Sequence, residues 1–166
     1  SSLRRMVNLN KALLMMSRIE NKQYAHVEPV TFNLLTNQLI EDLTDLFAFK
    51  EIELERLEQG VFVAEMNPDL AHILVSNLLR NAVRHNNKTG KISVSFQPQQ
   101  LVIANTGPKE ALDAERLFLR FYKGAQEGQS NGLGLAIVKS IIDSSPNIQL
   151  EYAYSVGQHI FIVKHA

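Results

Sequence analysis

Asn77 and Asn81 stand one helical turn apart in Asn77-Leu78-Leu79-Arg80-Asn81-Ala82-Val83-Arg84-His85, and side chains at that spacing share one face of a helix. Their amide carbonyls are hard oxygen donors, suited to a cation such as magnesium that also keeps waters and phosphate oxygens around it. Farther along, Gly132-Leu133-Gly134-Leu135 runs directly into the apolar Ala136-Ile137-Val138-Lys139-Ser140-Ile141-Ile142. A glycine pair opening a helix lets backbone amides approach an anion, and the helix dipole favours phosphate there. Each pattern also has a plainer reading: asparagines tolerated on a helix edge, or glycines that allow close helix packing.

The elements that must position these groups follow from the surrounding pattern. The asparagine helix opens at Asn67-Pro68-Asp69, with Asn67 as cap and Pro68 at the first helical position, and closes at Gly90. Leu70, Ile73 and Leu74 form a stripe that continues through Asn77, Asn81 and Arg84, so polar residues take over a face that begins as core. Ala71, Val75, Leu78, Leu79 and Ala82 form a second apolar face, leaving His72, Ser76, Arg80 and Val83 for solvent. After Gly90, Ile92, Val94 and Phe96 alternate with serines, turn at residues 97–100 and return through Leu101-Val102-Ile103-Ala104. That hairpin delivers Asn105-Thr106-Gly107-Pro108 to the end of a central strand.

Upstream, Leu3 to Gln23 favours helix, with Met6, Leu9, Leu13 and Met16 in a coiled-coil seam or on the face of a helix folded onto the rest of the chain. Nothing between it and Pro29 can cover that seam, and further natural chain is expected before it. His26 to Thr31 reads as a linker, Asn33 to Lys50 as a helix with Leu35, Leu39, Leu43, Leu46 and Phe47 on one face. Ile52, Leu54 and Leu57, then Val61 and Val63, read as two short strands turning at Gln59-Gly60. Lys109 to Asn131 is polar and long, with one short helical or turn segment at Leu117 to Tyr122, a length typical of lids or of disordered loops. A second hairpin around Gly157 ends the chain.

The 166 residues fit one domain, or one domain with a helical appendage. Acidic and basic residues balance at 17 each, so no global field points to nucleic acid. With no cysteine, neither a disulfide framework nor a thiolate metal site is available. No apolar run approaches the roughly 18 residues of a membrane span.

In order and spacing, these pieces resemble the catalytic and ATP-binding domain of sensor histidine kinases, a branch of the Bergerat-fold (GHKL) ATPases. Residues 77 to 85 resemble the family's N box, Asn105-Thr106-Gly107-Pro108 its first glycine box, Arg120-Phe121-Tyr122-Lys123 the F box of its ATP lid, and Gly132 to Lys139 its second glycine box. The match covers Thr31 to the C-terminus. Leu13 to Glu20 resembles the end of the second helix of the dimerisation and phosphotransfer hairpin. The resemblance implies a two-layer α/β sandwich, a mixed sheet with helices on one face, with residues 1–27 as the end of that dimerisation helix and linker and 28–166 as the catalytic domain.

By the same resemblance, Asn81 ligates magnesium, Asn77 contacts metal and phosphates, Arg84 faces phosphate and His85 lies near the nucleotide. Asn105 and Gly107 hold adenine. Asn131, Gly132, Leu133, Gly134 and Leu135 cradle phosphate, and Arg120 and Lys123 position the lid, Lys123 towards the terminal phosphate. The cofactors implied are ATP and Mg2+. The partners are the parent's own helix hairpin, which carries the acceptor histidine, and a response regulator. A homodimer is expected of the full-length protein, or a monomer of this stretch alone, in the cytoplasm below a membrane-anchored parent.

Hydrolysing relatives have Glu where this chain has Asn77; asparagine cannot take a proton from water, which favours transfer over hydrolysis. Two departures stand out: Asn105 where the family has Asp, and Lys109 where it has Gly. None of His26, His72, His85, His159 or His165 sits in an acceptor setting, so this stretch is not expected to phosphorylate itself. The departures keep open a degenerate scaffolding role, and a Bergerat-fold Ser/Thr kinase is the other rival.

Overall fold

A computed structural model describes residues 1–119 and 133–166. Within them the chain runs α1 (Ser2–Glu20), β1 (Glu28–Thr31), α2 (Phe32–Asp42), α3 (Thr44–Phe49), β2 (Glu53–Glu58), β3 (Val63–Met66) and α4 (Pro68–Arg84). It continues through β4 (Lys91–Gln97), β5 (Gln100–Thr106), α5 (Gly134–Asp143), β6 (Ile148–Ser155) and β7 (Gln158–His165). One mixed sheet has the order β2-β4-β5-β7-β6, and β1 pairs with β3 in a separate antiparallel ribbon. Among the described residues only the β2–β4 pair is parallel.

Period-two alternation decides the sheet's inner face. Ile92, Val94 and Phe96 on β4, Leu101 and Ile103 on β5, and Phe161 and Val163 on β7 are all buried. They share one core with α4 and α5, while Ser93, Ser95, Val102, Ile160 and Ile162 turn to the other, partly exposed face. Helices therefore cover one face of a mixed sheet, as the sequence predicts. In α4, Leu74, Val75, Leu78 and Leu79 are 0% exposed, and each such burial is worth about 1.5–3 kcal/mol. Asn67 caps the helix by accepting from Leu70 N–H at 3.1 Å, and its amide donates to His26 O at 2.9 Å.

Several sequence expectations need correction. Residues 26–31 are not simply a linker: Glu28–Thr31 is β1, paired antiparallel with β3. A four-residue strand containing Pro29 carries no local signal, and only its distant partner makes it. The expected single helix from Asn33 to Lys50 breaks at Leu43, where Thr44 Oγ1 donates back to Ile40 O at 3.2 Å. Leu39, Leu43 and Phe47 nevertheless stay on the core side.

The strands on either side of Gln59-Gly60 belong to different sheets, since β2 pairs with β4 and β3 with β1. The crossing between them is set by Asn33, whose amide nitrogen donates to Gly60 O and whose oxygen accepts from Phe62 N–H, each at 2.9 Å. Val61 and Val63 then face outward, while Phe62, tilted against Phe32 with ring centroids 4.8 Å apart, faces in. Val83, expected in solvent, is buried, because α2, α5, β1 and β5 all pack against α4.

The α1 seam finds its cover more than a hundred residues away. Met16 and Ile19 are 1% exposed and α1 packs on α5, whereas Leu3 and Met6 at its other end remain open.

Candidate functional site

The site lies where α4, the end of β5 and the start of α5 meet. Asn77 and Asn81 are half-buried on the flank of α4. Asn77 Nδ2 donates to Ile73 O at 2.8 Å within its own helix, which leaves its oxygen turned outward. That oxygen faces α5: a Cβ built on Gly134 would lie 3.4 Å from Asn77 Oδ1. Asn81 makes no side-chain hydrogen bond among the described residues, so its carbonyl is available to a ligand.

α5 starts at Gly134, and its cap residue Leu133 offers no side-chain hydrogen bond; no acidic residue stands in its first turn. The first-turn amides therefore present the positive end of the helix dipole with no acidic side chain of that turn beside them. Leu133 is fully buried and Leu135 packs partly against the core, so both contribute backbone here. Gly134 has an ordinary helical backbone and room for a Cβ. No protein contact among the described residues requires a glycine there.

At the end of β5, Asn105 is 2% exposed. Its Nδ2 donates to Thr106 O at 2.9 Å, while its Oδ1 has no partner. Such buried, unpaired oxygens are rare in folded chains and cost about 1–3 kcal/mol. Gly107 is hemmed in from two sides: a Cβ would lie 2.8 Å from His159 Cδ2 and 2.9 Å from His85 O. That pocket of backbone and ring, rather than any unusual dihedral, is what demands glycine. His85 caps the end of α4 through its own N–H on Asn81 O at 3.0 Å, so the loop behind α4 and the end of β5 are in direct contact.

Arg84 is exposed in the last turn of α4. Partial loss of water, and then the charge of Arg80, lowers its pKa from the usual arginine value. Arg120, Lys123, Asn131 and Gly132 lie outside the described residues. Those brought together are thus Asn77 with Gly134, and His85 with Gly107, with Asn105 at the adjoining strand end. Sequence reasoning missed Tyr152 and regarded His159 as structural or solvated; His159 is 3% exposed and bonded on both ring nitrogens, to Tyr152 Oη at 2.7 Å and to Pro108 O at 2.8 Å. Burial raises the Tyr152 pKa, which keeps its hydroxyl protonated. The parity of His159 with Phe161 and Val163 along β7 was the available signal.

The described residues contain no group of three or more His, Cys, Asp or Glu that could hold a metal, and none of their helices is long and apolar enough to cross a membrane. A hard cation here would rest on an amide such as Asn81 together with the ligand's own oxygens.

Residues 66–164 match the family described as histidine kinase-, DNA gyrase B-, and HSP90-like ATPase. The heme sensor protein HssS of Staphylococcus aureus (strain Newman) is 38% identical over 145 residues, which cover 81% of this chain and 31% of that protein. The chain therefore spans about a third of the length of such relatives. The Acinetobacter baumannii histidine kinase AdeS superposes with a TM-score of 0.76 at 20% identity, over 99% of this chain and 79% of that one. The cytoplasmic segment of the histidine kinase QseC gives 0.68 at 21% identity, over 98% and 93%. At these identities the structural likeness speaks for the fold.

Proposed function

From a chain that belongs to the histidine kinase-, DNA gyrase B-, and HSP90-like ATPases, we infer an ATP-binding catalytic domain of a two-component sensor histidine kinase that presents the γ-phosphoryl of Mg·ATP to a histidine on a helix hairpin of its parent. The observation that carries the reading is the orphaned Asn105 Oδ1. A buried acceptor at a strand end, with no partner of its own, fits the exocyclic amino group of adenine. Asn77 and Asn81 on one side and the α5 amides on the other then flank the phosphates.

Magnesium, when bound, would neutralise phosphate charge, with Asn81 as its protein ligand. The chain's own residues do the rest by position. The free amides of α5 take phosphate oxygens, Arg84 adds a positive charge nearby, and His85 and Gly107 close the base side. Arg120, Lys123, Asn131 and Gly132 are proposed for the lid and phosphate loop as the sequence implies. Asn77 offers no carboxylate to deprotonate water, so the site suits transfer to an acceptor supplied in place, which needs orientation and charge compensation more than a base. A response-regulator aspartate is the proposed final recipient, α1 the end of the dimerisation helix and the residues from there to 27 its linker.

Calorimetric titration with ATP and GTP, each with and without magnesium, tests the site. Magnesium-dependent, adenine-selective binding is expected. Trans-phosphorylation of a hairpin carrying a histidine, giving an acid-labile product, then tests the reaction. An acid-stable product would point to a hydroxyl acceptor instead. Absence of binding at millimolar ATP would leave Asn105 and Lys109 as marks of a scaffold.

Gly134→Ala separates fold from function. The position accepts a Cβ, and removing a glycine stabilises by about 0.4–1 kcal/mol where the backbone permits. Melting should stay level or rise slightly. Mg·ATP affinity should fall about tenfold, because the methyl group sits between the helix amides and the phosphates they face.

A further inference from the structure

Gly107 to Leu112, the stretch leading out of β5, is held by the β6–β7 hairpin at three points. Gly107 N–H donates to Gly157 O at 3.2 Å. His159 Nε2 lies 2.8 Å from Pro108 O, and Leu112 N–H donates to Tyr152 Oη at 3.0 Å. Tyr152 and His159 are themselves joined at 2.7 Å.

The chemistry of the partners fixes the direction of every bond. A backbone carbonyl only accepts, so the ring proton of neutral His159 is on Nε2. Nδ1 then accepts from the Tyr152 hydroxyl, whose oxygen keeps a lone pair for Leu112 N–H. His159 is buried and its register partner on β5 is Asn105. The same ring blocks the space beside Gly107.

We propose that Tyr152 and His159 are positioning residues that hold Gly107–Leu112 in place as one wall of the nucleotide site. The proposal rests on the nucleotide reading given above.

The test is Tyr152→Phe, which keeps the ring packed near Phe161, 5.2 Å away between centroids, and deletes only the hydroxyl. Two readouts are taken on the full chain: the rate of tryptic cleavage after Lys109, without nucleotide, and the Mg·ATP Kd. Cleavage is expected to be about tenfold faster and binding about tenfold weaker, the size of about one net hydrogen bond. His159→Leu should do the same. His159→Gln, whose amide can still donate to Pro108 O, should restore much of both. Faster cleavage with unchanged Kd, no change in either, or equal impairment by Gln and Leu would overturn the proposal. A wild-type chain that binds no Mg·ATP would overturn the nucleotide reading and this role with it, a result told apart by the cleavage assay, which needs no ligand.

Discussion

Asn81→Ala is expected to reduce ATP affinity measured in magnesium to the value measured in EDTA. The expected loss is at least about 100-fold, since even groups that merely orient a metal ligand are worth about 10–100-fold in metal affinity. The structure leaves little else for this residue to do. It is half-buried on α4 and gives up no side-chain hydrogen bond among the described residues when truncated. Alanine is also the better helix former, so the melting temperature should hold or rise by a degree or two. Asn81→Asp keeps a hard oxygen at the same distance from the backbone and should retain magnesium dependence. A variant that melts normally and binds ATP with undiminished magnesium dependence would remove Asn81 from the metal site.

Asn105→Leu should change stability and binding in opposite directions. Leucine is close to asparagine in shape and leaves no unpaired acceptor, so relief of the orphaned oxygen should raise stability by about 1 kcal/mol, offset in part by the lost bond to Thr106 O. ATP binding should weaken by about 10- to 100-fold, and preference over GTP should disappear, because nothing remains to accept from the adenine amino group. Asn105→Asp should do the reverse. A carboxylate buried to this degree, with a carbonyl where Asn105 now donates, should lower the melting temperature of the unliganded chain. It should also tighten ATP about tenfold through a charge-assisted bond. Thermal melts of the two variants with and without Mg·ATP give all four values. A leucine variant that binds ATP normally would detach Asn105 from the base.

The sequence reading reached the helix of Asn77 and Asn81, its cap at Asn67, the β4–β5 hairpin and the glycine start of α5, because each rests on spacing within a few residues. It failed where the deciding partner is remote. β1 exists because of β3, and the outward turn of Val61 and Val63 follows from Asn33 gripping Gly60 and Phe62. The cover of α1, α5, comes late in the chain, so the segment alone could not decide between a coiled-coil seam and a helix folded onto the rest of the chain. The site divides the same way. Residue types announced amide oxygens and free helix amides, but not that Asn105 Oδ1 would be left unpaired, nor that His159 would reach Pro108 across 51 positions of sequence.

The direct pairing of Thr106 with Gln158 at the β5–β7 seam closes a loop of about fifty residues. The entropy of closing such a loop grows only with the logarithm of its length, so doubling it would cost about 0.6 kcal/mol. The closure itself is therefore nearly indifferent to the length of that connection, which re-enters the core at Leu117 and at Leu133. It is not indifferent to the ends, pinned by Tyr152 and His159 on one side and by the buried Leu133 on the other. A change in the length of the connection is therefore nearly neutral for strand pairing so long as those anchors, Leu117 among them, are kept.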